Sequence, residues 1–301
     1  MTSDPGISRR GLLAAALSFT ALSMPARAGS IVDASGAEIT ATQARRIVSI
    51  GSSVTEIIVE LGRAGSLAAI DMASAGLPGM AAKPNVGYHR ALSAEGVLAQ
   101  APDLICATSD AGPPEVVEAI RASGIAFALI PHVPTVEGIV RKIGLLGSLL
   151  GADAEAAALG GKTRRSAQEL AARVSRLPGP RPGVLFVLSF TDNRLLAGGA
   201  ETGAHSVIEM AGGRNVASGM TGYKPLSAEA LLQDPPDFVI TMSGAGIAAD
   251  HQAILAFAPL AASPAAGRRA IRGFDGGYLL GFGPRTLRAA GELADFIHGT
   301  G

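Results

Sequence analysis

The sequence predicts an α/β protein of two related lobes, each a parallel sheet flanked by helices, joined by one long backbone helix. The first observation is an internal repeat. "LSAEGVLAQAPDLICATS" from Leu92 returns as "LSAEALLQDPPDFVITMS" from Leu226, and "SVTEIIVELGRAGSLA" has a weaker partner in "HSVIEMAGGRNVA". The second is that short β-rich runs alternate with helical stretches in both halves, the pattern of parallel sheets covered by helices. The third is a segment without proline, Thr135 to Leu177, rich in Ala, Leu, Arg and Glu, that separates the two copies.

Each element follows from local chemistry. "RIVSI" and "PGVLFVLS" are apolar runs bounded by polar residues or glycine and read as the first strand of each lobe. Ser53 and Glu56 in "SVTE" have the spacing of a capping box for the helix after the first strand. Ser93 and Ser227 read as N-caps of short helices that stop before Pro102 and Pro236. "DLICAT" and "DFVITMS" are then buried strands. Within the intervening segment, Ala152 to Leu177 would make one helix about 37 Å long, a rigid spacer that limits relative motion of the lobes. These are two Rossmann-like lobes, in which ligands bind near the carboxyl ends of the strands. The expected division is 1–28, 29–134 for the N-terminal lobe, 135–178 for the helical spine and 179–301 for the C-terminal lobe.

Bulk properties narrow the function. A chain of 301 residues suits two domains, and 48% apolar with 17% charged residues gives ample core material. Twenty-five basic residues balance twenty-five acidic ones, which removes the electrostatic footprint of a nucleic-acid binder. The segment "SRRGLLAAALSFTALSMPARA" reads as a cleavable export signal, removed after Ala26-Arg27-Ala28 to leave a mature chain from Gly29. Its Arg9-Arg10 pair fits a twin-arginine signal and equally the basic start of a general export signal. The single cysteine, Cys106, makes no internal disulfide and reads as a small buried hydrophobe. An exported, soluble, monomeric protein held by its core is expected.

Two motifs carry no weight. "GGKT" at Gly160 to Thr163 lacks the first glycine of a phosphate-binding loop and sits in a helical run. "GAGIAA" at Gly244 to Ala249 fits a dinucleotide fingerprint only weakly. There is no nucleophile elbow, and the five histidines have no short zinc spacing. No catalytic residue is assigned, and no enzyme is expected.

The two tyrosines are the distinctive feature. "GYHRALSAE" from Gly87 and "GYKPLSAE" from Gly222 place Tyr88 with Arg90, and Tyr223 with Lys224, just before the repeated Leu-Ser-Ala-Glu. A tyrosine after glycine often only packs over its turn. Together with "VGYHRALSAEGVLAQAPDLI" and "IEMAGGRNVA", however, these residues resemble the periplasmic binding proteins of ABC importers that have a single connecting helix. Within that family the branch that carries haem is the best match.

That resemblance implies ferric haem as the transported ligand, with Tyr88 as the axial ligand of its iron. The chemistry is consistent, because phenolate is a hard anionic donor suited to ferric iron and a free phenol titrates only near pH 10, so a cation beside it helps. In an extended turn residues two apart share a face, which puts Arg90 beside Tyr88, for phenolate support or a haem propionate, and His89 away from it. Tyr223 would stack on the porphyrin, donate a hydrogen bond or supply a sixth ligand, unless it simply packs; Lys224 is a second candidate for a propionate. Glu95 and Glu229 suit the first turn of their helices through the helix dipole, and the resemblance also makes them a pair that docks on the inner-membrane ABC permease. An outer-membrane haem receptor is the expected donor. The alternative cargo on the same fold is a ferric siderophore or cobalamin, which needs no protein ligand to iron.

Overall fold

A computed structural model of the chain describes residues 1–2, 30–40, 44–244 and 247–299. The segment read as an export signal, with its arginine pair, lies outside the described residues. In the first lobe, strands β1 (Ile47–Ile50), β2 (Leu67–Ile70), β3 (Leu104–Thr108) and β4 (Ala126–Ile130) form a sheet in the order β2-β1-β3-β4. Every pairing in it is parallel. β1 and β3 are buried along their whole length, as continuous apolar strands covered on both faces should be. Cys106 lies within β3, fully buried, and burial pushes its thiol up to about 12, so it is inert packing.

The second lobe departs from the expectation of a purely parallel sheet. Its main strands are β5 (Gly183–Thr191), β6 (Arg194–Gly198), β7 (Tyr223–Pro225), β8 (Phe238–Gly244) and β9 (Ile271–Asp275). β5, β8 and β9 pair in parallel, but β6 pairs antiparallel with β5 and the edge strand β7 antiparallel with β6. The cause is local. Asp192 and Asn193 both adopt positive φ, 51° and 57°, and make a two-residue hairpin turn of the hand that suits twisted strands.

One further expectation changes, the capping box, whereas the long helix expected over Ala152 to Leu177 is present. The helix α1 (Ser52–Glu60) is N-capped by Gly51 without a side-chain bond, so Ser53 and Glu56 form no capping box. The proline-free segment makes two helices, α2 (Val136–Leu149) and α3 (Asp153–Val174), separated by a turn at Gly151, where φ is +60°. Ala156 lies against Gly147 and Val140 against Gly160, so the two run antiparallel. The spine is therefore α3 alone, 22 residues and about 33 Å long. Its Ala156 and Leu159 join the core of the first lobe, and its Leu170 joins that of the second.

Ser53 and Glu56 instead hold a seam between the lobes. Phe282, from the second lobe, is fully buried in the first lobe's core. Next to it, a Cβ on Gly283 would sit 2.5 Å from Glu56 Oε2, so the approach needs glycine there. Glu56, 5% exposed, accepts the Arg285 backbone N–H at 2.6 Å and lies 3.5 Å from the Arg285 Nε, an ionic contact rather than a hydrogen bond. Lys142 of α2, 1% exposed, donates to Ser53 Oγ at 2.6 Å, to the Phe282 carbonyl at 3.2 Å and to the Gly281 carbonyl at 3.4 Å.

Burial pulls the Lys142 amine down to about 8, against the opposing charges of Asp110 and Glu56. Its unfolded value is near 10.5. Between those two values the unfolded chain holds a proton that the folded chain has released, so stability rises with pH across that window. Measured against Lys142→Met by urea unfolding at pH 7 and pH 10, the wild type should gain roughly 2 kcal/mol on going to the higher pH.

Candidate functional site

The carboxyl ends of β1 to β4 share one edge of the first sheet, and the tyrosine turn is built onto that edge. Asn85–Gly87 runs beside the end of β2, with Val86 N–H donating to the Ile70 carbonyl and Met72 N–H to that of Gly87, both at 2.9 Å. Gly87 takes φ +93°, left-handed backbone that a side chain would resist, and its N–H is held by Asn85 Oδ1 at 2.7 Å. Beyond it the turn closes from Ala91 N–H to the Tyr88 carbonyl at 2.8 Å. The loop after β3 is tied to the same turn, with Gly112 N–H on the His89 carbonyl at 2.8 Å and Leu92 N–H on the Gly112 carbonyl at 2.9 Å.

These bonds present Tyr88 outward, 40% exposed, with its ring edge-on to His89 at 4.6 Å between centroids. Arg90 bonds Asp110 at 2.5 Å and also interacts with the Tyr88 hydroxyl. Burial pulls the Arg90 guanidinium down, but the bonds and charges of Asp110 and Tyr88 outweigh it and hold the group above its ordinary value. Burial likewise raises the Asp110 carboxyl, and hydrogen bonds from His89, Thr108 and Arg90 reverse this, leaving it well below the usual carboxylate range. His89 lies against two carboxylates, Nδ1 at 3.8 Å from Asp71 and Nε2 at 3.6 Å from Asp110. Arg90 thus lies beside Tyr88 as the turn suggested, but His89, expected to point away, packs against the Tyr88 ring because the segment is a closed turn rather than extended chain.

The second tyrosine stands differently. Gly222 also has left-handed backbone, φ +81°, but Tyr223 opens strand β7 instead of a free turn. Its ring packs edge-on to Phe186 at 6.2 Å, within the second lobe's core. Burial raises its phenol, offset by bonds from the Ala204 N–H and Thr202 and by the charge of Arg90. The Arg90 charge thus reaches Tyr88 on its own lobe and Tyr223 on the other. Lys224 is exposed and, by the strand's pleat, leaves β7 on the face opposite Tyr223. Glu95 and Glu229 are both exposed in the first turn of short helices, Ala94–Leu98 and Ala228–Gln233, capped by Ser93 and Ser227. Neither carboxylate has an ion-pair partner among the described residues.

Several residues of this region escape sequence reasoning. Among the described residues six large hydrophobic side chains are exposed, and three of them, Met72, Tyr88 and Val133, lie on the carboxyl edge of the first sheet. Nothing in the sequence distinguishes Met72 or Val133 from core residues. Asp110 had a legible signal, because the repeat puts Gly244 at its position in the second lobe. His132, at the end of β4, is pulled down to about 4 by burial first and by the charge of Lys142, so it is neutral near pH 7. Among the described residues no group of three His, Cys, Asp or Glu side chains could hold a metal ion by itself.

Comparison with known proteins agrees with the two-lobed fold. The family model described as periplasmic binding protein matches residues 47–275. Among solved structures, the periplasmic heme-binding protein RhuT from Roseiflexus sp. RS-1 is 32% identical, with 85% of this chain and 98% of that one covered and a TM-score of 0.80. A periplasmic heme-binding protein from Pseudomonas aeruginosa is 33% identical over 85% of this chain and 94% of that one, with a TM-score of 0.75. A curated cobalamin-binding protein of Halobacterium salinarum is 28% identical over 225 residues, 73% of this chain and 58% of its own length. The chain thus spans little more than half the length of that relative. With the family model matched from the first strand of one lobe to the last strand of the other, the chain belongs to the periplasmic binding protein family.

Proposed function

We propose that this protein captures ferric haem between its lobes in the periplasm and delivers it to an inner-membrane ABC permease, without catalysing a reaction. The observation that carries the reading is the outward phenol of Tyr88, supported by Arg90 and flanked on the same sheet edge by exposed Met72 and Val133. A flat apolar macrocycle with an iron and anionic substituents suits such a surface. Tyr88 would supply the oxygen ligand to iron, which as phenolate favours the ferric state. Arg90 keeps donors free for a propionate, with Lys224 as a weaker second contact. Tyr223 is best read as a wall of the cleft, because its hydroxyl is already bonded within its own lobe. The names of the structural neighbours, heme-binding proteins above 30% identity, favour the same cargo.

The cobalamin-binding relative favours a second reading, in which the cleft takes a corrinoid. Such a ligand already fills its metal's coordination sphere and gives Tyr88 no role. Equilibrium dialysis of residues 29–301 with ferric haem, followed by competition with cyanocobalamin or a ferric siderophore, separates the two. Saturable haem binding that neither competitor displaces supports the proposal; displacement by cobalamin with no haem retention would replace it.

Glu95 and Glu229 are proposed to dock on basic residues of the permease, one on each lobe. Their joint replacement by alanine should leave haem affinity unchanged and slow transport into permease-bearing vesicles by about tenfold or more, mainly through slower encounter.

A further inference from the structure

The first-lobe copy of the repeat ends in Ser109-Asp110, where the second-lobe copy ends in Ser243-Gly244. This acidic side chain therefore exists only on the lobe that carries Tyr88. Its two carboxylate oxygens are used separately. Oδ1 accepts the Thr108 hydroxyl at 2.7 Å, which fixes the carboxylate to the end of β3. Oδ2 accepts Arg90 Nη2 at 2.5 Å and lies 3.6 Å from His89 Nε2. The backbone of the same loop is bonded to the tyrosine turn through Gly112 on both sides. Without that contact the Arg90 side chain, 54% exposed, has a long flexible stem and no other described ion-pair partner.

From this geometry we infer that Asp110 is a positioning residue, which clamps the Arg90 guanidinium so that its remaining donors stay beside the Tyr88 oxygen and the ligand's carboxylates. The inference rests on the haem reading for its functional consequence, but not for the clamp itself. A guanidinium has five N–H donors in a fixed plane, so anchoring one of them orients the others. Loss of such an orienting partner typically costs about 10-fold to 100-fold in affinity at a metal-binding site. An aspartate that acted through Arg90 would lose its importance once Arg90 is gone, whereas one that acted by itself would not.

The test uses residues 29–301 as wild type, Asp110→Asn, Arg90→Ala and the double variant, with Thr108→Val as a milder way to loosen the carboxylate. Haem transfer to an excess of apomyoglobin gives the dissociation rate, and the Arg90 Nε–H resonance in the haem-free protein reports the order of its side chain. Asp110→Asn should speed dissociation about tenfold, Thr108→Val less, and the double variant should be no faster than Arg90→Ala alone. The Arg90 resonance should be sharp in the wild type and exchange-broadened in Asp110→Asn. An Asp110→Asn effect that persists undiminished without Arg90, or an Arg90 resonance unchanged by the substitution, would overturn the inference. If the wild type retains no haem, the cargo reading falls, and the resonance alone decides whether Asp110 orders Arg90.

Discussion

Tyr88→Ala is expected to weaken ferric haem binding by about 100-fold or more and to abolish the charge-transfer absorption of tyrosinate-bound iron. The magnitude follows from the site's composition. Partners that merely orient a metal ligand typically cost about 10-fold to 100-fold when removed, and Tyr88 would be the ligand itself. A hundredfold corresponds to about 2.7 kcal/mol, out of an interaction that also includes apolar contact with Met72, Val133 and the second lobe. Residual binding through those contacts should therefore remain. Tyr88→Phe separates the two contributions, since it keeps the ring and removes only the oxygen. It should lose the charge-transfer bands as fully as alanine does while binding haem more tightly than alanine. Absorption titrations of the three proteins check this, and a phenylalanine variant with unchanged bands would assign the ligand to another residue.

The second large effect concerns the seam. Glu56→Ala should destabilise the protein by about 3 kcal/mol, because removing one partner of a buried pair leaves the other uncompensated. Here the orphans would be the Arg285 backbone N–H, held at 2.6 Å, and an Arg285 side chain that is only one-third exposed. The alanine also opens space where Gly283 approaches the carboxylate closely. Burial raises the Glu56 carboxyl above its ordinary value despite Arg285, so its protonation begins at a higher pH than that of an exposed glutamate. The lobes meet through this contact, through Lys142 and through Phe282, as well as along α3. Denaturant unfolding of Glu56→Ala beside wild type measures the loss, and a change within 0.5 kcal/mol, the usual surface value, would mean that the seam does not hold the lobes.

The sequence was most legible where chemistry repeats. The paired "LSAE" segments give the serine caps, the exposed glutamates and the buried strands that follow, because each depends on neighbours within a few residues. It was least legible where distant segments meet. Ser53 and Glu56 have the spacing of a capping box, yet Gly51 caps α1 and both side chains serve contacts with residues more than eighty positions away. The long helix expected over Ala152 to Leu177 was legible within the proline-free stretch and forms as α3, just after the turn at Gly151. The antiparallel β5–β6 hairpin was missed although Asp192-Asn193 is a recognisable turn pair. In the site, Tyr88 and Arg90 were accessible from a local motif. Asp110, Met72 and Val133 come from other strand ends and converge only through the order of the sheet.

A crystal structure of residues 29–301 loaded with ferric haem tests the central claim most directly. The account predicts iron bonded to the Tyr88 oxygen, with the porphyrin between the lobes, Arg90 beside the phenolate or a propionate, and Met72 and Val133 against the ring. A haem bound away from that edge, or iron held by a histidine with Tyr88 turned to solvent, would contradict it.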